Sequence, residues 1–292
     1  MPRRASRTAE GVAAWHAAAA MERDPNVRGS DQMAIRLLSP KWRLIVRVRP
    51  LVWLMVRLYE RLIPGAYYYH IARTKYIDEC LLDALDNGTE QLVILGAGFD
   101  TRAYRFHDAL RQVHVFEVDL PDVVAEKRWR VQAALGEIPP WVTYIALDLR
   151  HDALVPTLLA HKYNPAVKTM FIWEGVSMYL PAQAVDRVLR SIAEESAAGS
   201  SLVFDYILRD AADGTTKDAA AVKAMRYVAK MGEPYVFGID PTDIERFLSE
   251  RGLRLASEMG PEELDDRYLR KMDGKFAGHV YRYWRIVRAA VQ

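Results

Sequence analysis

The stretch that most constrains this chain is LVILGAGFDTRAYRF, Leu92 to Phe106, where an apolar run ends in Gly96-Ala97-Gly98 and a polar segment follows. An apolar run closed by glycines reads as a buried strand turning into a helix, and the pattern recurs downstream. Strand candidates fall at 91–95, 113–118, 142–146, 169–173 and 201–206, with helix candidates near 101–111, 121–135, 151–162 and 181–197 between them. Strands that alternate with helices imply a parallel sheet covered on both faces. The tail breaks this rhythm. A helix near 240–251 ends at Gly252, and LRLASEM and HVYRYWRIVRA then suit a final antiparallel pair. Before the first strand, ARTKYIDECLLDALDNG places Ile77, Leu81, Leu82 and Leu85 at helical spacing from about Ala72 and stops at Asn87-Gly88. Residues 1–65 read as helical and irregular, punctuated by Pro40, Pro50 and Pro64. The expected architecture is one α/β, Rossmann-like domain: a body over 66–292 and a helical N-terminal cap or lid over 1–65.

The chain of 292 residues is 51% hydrophobic and 27% charged, enough for a sizeable core. Cys80 is the single cysteine, so no internal disulfide or cysteine-rich metal site is available, and a reducing, cytoplasmic setting is expected. Residues 1–65 hold 12 Lys/Arg against 5 Asp/Glu, whereas the remainder holds 28 against 33. An enzyme acting on nucleic acid more often carries a basic face on its body as well, so no nucleic-acid partner is expected. Arg3, Arg4 and Arg7 precede GVAAWHAAAAM, but His16 interrupts an alanine-rich run, which makes a poor secretory signal. The most apolar segment, LIVRVRPLVWLMVRLYERLIPG, contains four arginines and does not suit a bilayer span of roughly 20 apolar residues. Residues 41–63 mix Trp42, Trp53 and leucines with arginines. They suit a packed cap helix, a lid over a greasy acceptor, or a helix lying on an anionic membrane surface.

The glycine loop narrows the ligand. A dinucleotide fingerprint needs a third glycine where Thr101 stands. Asp100 would also set a negative charge where a pyrophosphate would sit. A cofactor without phosphate and with a positive centre fits better, and S-adenosyl-L-methionine is such a molecule. About twenty residues on, HVFEVDLP offers Glu117 and Asp119, where an acid accepts both hydroxyls of a ribose. Strand alternation sets both acids on one face, so spacing does not choose between them. A strand-end acid that caps the following helix is the plainer alternative.

Five segments then occur in order: ARTKYIDE, ILGAGFDTRAYRF, VFEVDLPDVVAEKR, IALDLRHD and FIWEGVSMYLP. Together they resemble the leucine carboxyl methyltransferase family, and more closely its bacterial branch of S-adenosyl-L-methionine-dependent O-methyltransferases. The resemblance implies a class I methyltransferase fold with a seven-stranded sheet whose last strand is antiparallel. It implies that Arg73 holds the cofactor's methionyl carboxylate and that Gly96, Ala97 and Gly98 form the loop beneath the methionine part. It further implies that Asp119 binds the ribose, that Asp148 and Leu149 flank the adenine, and that Glu174 ends the fourth strand near the transferred methyl.

Plainer roles compete at several of these positions. Arg73 also suits an exposed helix start, and Asp148 the N-cap of the following helix. Trp173 and Tyr179 suit either an acceptor pocket or the core, and His70, beside three tyrosines, suits packing better than catalysis. No His/Asp pair stands out in the sequence near an acceptor. That favours a carboxylate or an acidic hydroxyl as acceptor, or catalysis by proximity alone. By family analogy the expected reaction is O-methylation of a small-molecule acceptor, a carboxylate or hydroxyl of a polyketide or other secondary metabolite. The alternatives are methylation of a protein's C-terminal carboxylate, a nicotinamide-dependent oxidoreductase, and a binding module without activity.

Overall fold

The computed structural model describes residues 4–292; Arg3, the first of the N-terminal arginines, lies outside them. The chain opens with four helices, α1 (Arg4–Ala19), α2 (Ala34–Leu37), α3 (Pro40–Arg47) and α4 (Arg49–Leu62), and then a long α5 (Ala66–Asp86). The body alternates β1 (Gln91–Leu95), α6 (Arg102–Arg105), β2 (His114–Asp119), α7 (Pro121–Leu135), β3 (Val142–Ala146), α8 (Leu154–Ala160), β4 (Thr169–Trp173), α9 (Ala182–Glu194) and β5 (Ser201–Ile207). It closes with α10 (Arg209–Ala212), α11 (Ala219–Lys230), α12 (Ile244–Ser249), β6 (Leu253–Met259), α13 (Pro261–Tyr268) and β7 (Trp284–Val291).

The seven strands form one sheet in the order β3-β2-β1-β4-β5-β7-β6, and β7 runs antiparallel to both of its neighbours. This is the class I methyltransferase topology. Strands β1 and β4 are buried along their whole length, which is why they read as unbroken apolar runs. Alternate side chains feed different layers. Leu92 and Ile94 join the cluster that includes α1 and α5, whereas Val93 and Leu95 join the cluster of α8 and α9. The order reverses at β1, whose neighbours β2 and β4 come from opposite directions of the chain. A crevice therefore opens beyond the carboxyl ends of β1, β2 and β4, where ligands bind in open α/β sheets.

Helix ends follow local chemistry. Pro121 in its first turn and Asp122 near its N-terminus start α7, which stops at left-handed Gly136. Two helices differ from expectation. The segment expected as a helix over 101–111 is helical only at Arg102–Arg105, because polar turns take over towards Leu110. Helix α5 begins at Ala66, not near Ala72, so Arg73 lies two turns inside it rather than at its start. The turn before α5 requires Gly65: its φ is +88°, and a Cβ there would lie 2.5 Å from the backbone nitrogen of Tyr281.

The N-terminal helices pack on the body. Trp15 of α1 stacks on Tyr59 of α4 at 4.3 Å. Arg130 of α7 reaches Glu10 at 2.8 Å and the Leu37 carbonyl at 2.7 Å. No helix among the described residues is long and apolar enough to cross a membrane.

Trp173 settles in the core. It is fully buried at the end of β4, with its ring 6.2 Å from Phe204, and it does not reach the crevice. The acceptor-lining alternative for this residue is therefore corrected: strand alternation turns Trp173 into the α8/α9 layer and leaves the crevice to Glu174. The indole Nε1 has no hydrogen-bond partner. Trp173→Phe, which removes that unpaired donor, is expected to cost no more than about 1.5 kcal/mol, whereas Trp173→Ala is expected to cost about 3–5 kcal/mol. Chemical denaturation measures both. Calorimetry with S-adenosylhomocysteine should give the same affinity for the Phe variant as for the wild type.

Candidate functional site

The crevice is a cavity of about 520 Å³. Its floor is the loop after β1. Gly96 adopts φ +68°, and a Cβ on it would lie 2.2 Å from Cγ2 of Val176 in the loop after β4. Only glycine lets the two loops touch. The amides of Gly96 and Ala97 both donate to the Val118 carbonyl, at 2.8 and 3.0 Å, and Gly98 donates to Asp119 Oδ2 at 2.7 Å.

The two acids of β2 separate clearly. Asp119 ends the strand and lines the cavity, and its second oxygen accepts from the Leu120 amide at 2.7 Å. Burial raises its pKa against the pull of those two amides and Lys127. Glu117 lies on the same face but one pleat deeper, beneath α7, and does not line the cavity. It pairs with Lys127 at 2.8 Å and accepts from the Tyr104 hydroxyl at 3.0 Å, while its Oε1 stays unpartnered. Lys127 in turn donates to the Ala97 carbonyl at 3.2 Å. Glu117 thus supports the glycine loop from below, and the expectation of direct cofactor contact is corrected for it. Burial pushes its pKa up to about 7 despite Lys127.

The opposite wall is a buried charge network. Arg73 Nε lies 2.9 Å from Glu174 Oε1, and its Nη1 lies 2.7 Å from Asp205 Oδ2. Arg102 Nη1 meets the other oxygen of Glu174 at 2.8 Å, and Arg102 also holds Asp100 and Asp78. Asp205 accepts the Gly175 amide at 2.6 Å. Burial disfavours the Glu174 charge, but Arg73, Arg102 and His16 outweigh it and keep the carboxyl well below the usual range. Arg73 and Glu174 both line the cavity. Arg73 is therefore no exposed helix start. Two carboxylates aim its guanidinium, and its Nη2 faces His70 Nδ1 at 3.3 Å.

Asp148 and Leu149 line the third side. Asp148 grips Arg150 through both oxygens, at 2.9 and 2.6 Å. It does not cap the next helix, whose N-cap is Ala153. The Asp148–Arg150 pair is half-exposed and costs little to open. Tyr179 also lines the cavity, edge-on to Tyr235 at 5.1 Å, and burial raises its pKa to about 12. His70 is buried outside the cavity, 3.3 Å from Arg73 Nη2.

Two residues escaped the sequence reading. His16 of α1 lines the cavity, and its Nδ1 lies 3.6 Å from Asp31 Oδ2. Asp31 is buried and also accepts from the Thr101 hydroxyl at 2.6 Å. Burial opposes its charge, yet His16, Arg105 and Thr101 lower its pKa to about 2. Fourteen residues, mostly irregular chain, separate the pair, so no spacing rule announces it. Helix α1 roofs the cavity with the loop at 232–236, and Thr8 donates to Glu233 across the gap at 2.6 Å.

Comparison with known proteins finds relatives in one family. The family model "Leucine carboxyl methyltransferase" matches residues 9–193. A Mycolicibacterium smegmatis protein named "Putative S-adenosyl-L-methionine-dependent methyltransferase" is 36% identical over 210 residues, covering 69% of this chain and 68% of that protein. A Mycobacterium bovis protein of the same name is 35% identical over 214 residues, covering 69% of this chain and 65% of its own. The crystal structure of a "putative methyltransferase" from Thermobifida fusca superposes with a TM-score of 0.60 at 18% identity, covering 96% of this chain and 94% of that one, which shows the shared fold.

The two β2 acids should respond differently to substitution. Asp119→Ala is expected to weaken S-adenosylhomocysteine binding by about 1.5–3 kcal/mol, the range for hydrogen bonds to a charged group. Glu117→Gln should act on stability first, because Glu117 is sealed against Lys127 and Tyr104 and does not line the cavity. The pH dependence carries a sign. Glu117 holds its proton in the folded state up to about 7, whereas unfolded glutamate loses it near the ordinary 4.5. Its contribution is thus fully present below pH 4.5 and is lost as pH rises to about 7. The stability difference between wild type and Glu117→Gln should shrink across that window, as read by urea denaturation at successive pH values. A difference constant with pH would refute the assignment.

Proposed function

The chain belongs to the leucine carboxyl methyltransferase family and its cofactor is S-adenosyl-L-methionine, and from that footing we propose that it methylates a hydroxyl oxygen of a small, largely apolar molecule. The observation that carries the hydroxyl is His16 in the cavity wall with the buried Asp31 behind it, since a carboxylate acceptor is already ionised and needs no base.

The cavity suits this cofactor. Its wall carries Asp100, Asp119, Asp148, Glu174 and Glu233 against Arg73 and Arg150, an excess of carboxylate that favours a cationic ligand. Asp119 would accept from the ribose hydroxyls, Asp148 from the adenine amine once Arg150 yields, and Leu149 would cover the ring. Arg73 and Glu174 would take the carboxylate and ammonium of the methionine end. When bound, the cofactor supplies a methyl group on a sulfonium sulfur, which leaves as a neutral thioether once an acceptor oxygen has taken the methyl.

The chain's own work is to orient, to exclude water and to move one proton. Asp31 is ionised and accepts only, so a hydrogen on the His16 Nδ1 that faces it at 3.6 Å would leave the lone pair on Nε2. Thr74 Oγ1 lies 3.4 Å from Nε2 but donates its own hydrogen to the His70 carbonyl at 2.8 Å. Nε2 is therefore free to take the acceptor's hydroxyl proton. The imidazolium so formed faces Asp31, and its new N–H can donate to Thr74. Ala9, Val12 and Ala13 of α1 give this end of the cavity an apolar surface, which suits a small organic acceptor better than a polar peptide tail.

S-adenosylhomocysteine at a hundredfold excess over its Kd should stabilise the fold by about 2.7 kcal/mol, seen as a raised Tm. With an acceptor found by screening phenols and aliphatic alcohols, His16→Ala should lower kcat about 10²–10⁴-fold and leave S-adenosylhomocysteine affinity unchanged. Unchanged kcat in that variant, or methylation of C-terminal peptide carboxylates alone, would overturn the hydroxyl assignment.

A further inference from the structure

The outer face of α4 departs from every other surface of the molecule. Of the thirteen large apolar residues that stand exposed among the described residues, seven fall between Leu44 and Leu62. On α4, Val52, Val56 and Tyr59 turn inward against the core. Leu51, Leu54, Leu58 and Leu62 repeat on the opposite side and are between 38% and 47% exposed. Trp53 stands beside them at 61%, with Arg57 stacked over its ring at 5.1 Å. Soluble domains seldom leave such a contiguous stripe uncovered.

The charges around the stripe have one sign. Lys41, Arg47, Arg49, Arg57 and Arg61 are all exposed. The one acid between residues 40 and 63, Glu60, turns inward and accepts from the amides of Gly65 and Tyr67, both at 2.7 Å. A leucine stripe rimmed by cations and free of outward acids complements a surface that is apolar beneath and anionic on top. A second copy of the chain is a poor match, because a two-fold contact would set arginines against arginines.

We propose that α3 and α4 form a docking face for an anionic lipid bilayer, with the leucine stripe sunk among the acyl chains and the arginines and Lys41 at the phosphates. The inner face of the same helix touches α1, where Tyr59 stacks on Trp15, the residue before His16. The docked helix is thus the second layer over the acceptor end of the cavity, and the membrane is the reservoir from which an apolar acceptor reaches it. That last step rests on the proposed function; the docking does not.

Co-sedimentation of the full chain with vesicles tests the docking without any turnover. Binding is expected to vesicles of mixed phosphatidylcholine and phosphatidylglycerol and to be at least tenfold weaker with phosphatidylcholine alone. The double variant L54E/L58E should lose at least tenfold in affinity for the anionic vesicles, while its Tm and its S-adenosylhomocysteine affinity stay at wild-type values. R57E/R61E should weaken binding and flatten its salt dependence. The proposal is overturned if the wild type does not sediment with anionic vesicles, if L54E/L58E binds them as well as the wild type, or if light scattering shows a dimer that L54E/L58E converts to a monomer.

Discussion

One carboxylate between two guanidinium groups holds the centre of this molecule together. Glu174 ends β4, Arg73 comes from the middle of α5 and Arg102 from the short helix after the glycine loop, and the two cations meet Glu174 at 2.9 and 2.8 Å. Each is further tied outward, Arg73 to Asp205 on β5 and Arg102 to Asp78 on α5. All of these groups are buried or nearly so. Removing one partner of such a pair typically costs about 3–5 kcal/mol, because the charge left behind has no water to turn to. A hydrophobic replacement of the whole set would fill the space at little cost in stability. What the charges add is position: two strands and two helices are fixed against one another beside the cavity.

That wall also sets the electrostatic sign of the site. Glu174 stays ionised because two guanidiniums surround it, and it adds to the carboxylate excess along the lining. A cationic sulfonium enters an environment already built for positive charge, so little reorganisation is needed when it arrives. The same excess disfavours a pyrophosphate, in keeping with Thr101 where a dinucleotide fold keeps its third glycine.

Much of this was legible in the sequence, and the failures share a cause. Strands β1, β3 and β4 matched their expected bounds residue for residue, and β1 and β4, buried along their whole length, announce themselves as apolar runs ended by glycine or a polar residue. The antiparallel pair of β6 and β7 was legible from alternation in the tail. Local signals failed where a residue's role depends on depth. Glu117 and Asp119 share a face, and only the packing of α7 reveals that one is sealed and the other open. Trp173 and Glu174 are neighbours, and the pleat sends them to opposite sides of the sheet. Asp205 sat inside an apolar strand, a signal that a buried partner must exist, but the partner is 132 residues away. His16 and Asp31 meet only because α1 folds back over the body.

The glycine loop and the roof differ in how they are fastened. Beneath the loop, the Glu117–Lys127 pair grips the Ala97 carbonyl in a layer water does not reach, and Asp119 at the cavity's edge grips the Gly98 amide. Above it, Thr8 meets Glu233 in a single exposed hydrogen bond. Water can replace that contact for less than a kilocalorie or so, whereas it cannot enter the layer below. The rim of the cavity and its floor are thus held by contacts of different kinds, one open to water and one sealed from it, while Glu10 of α1 is tied more deeply to Arg130.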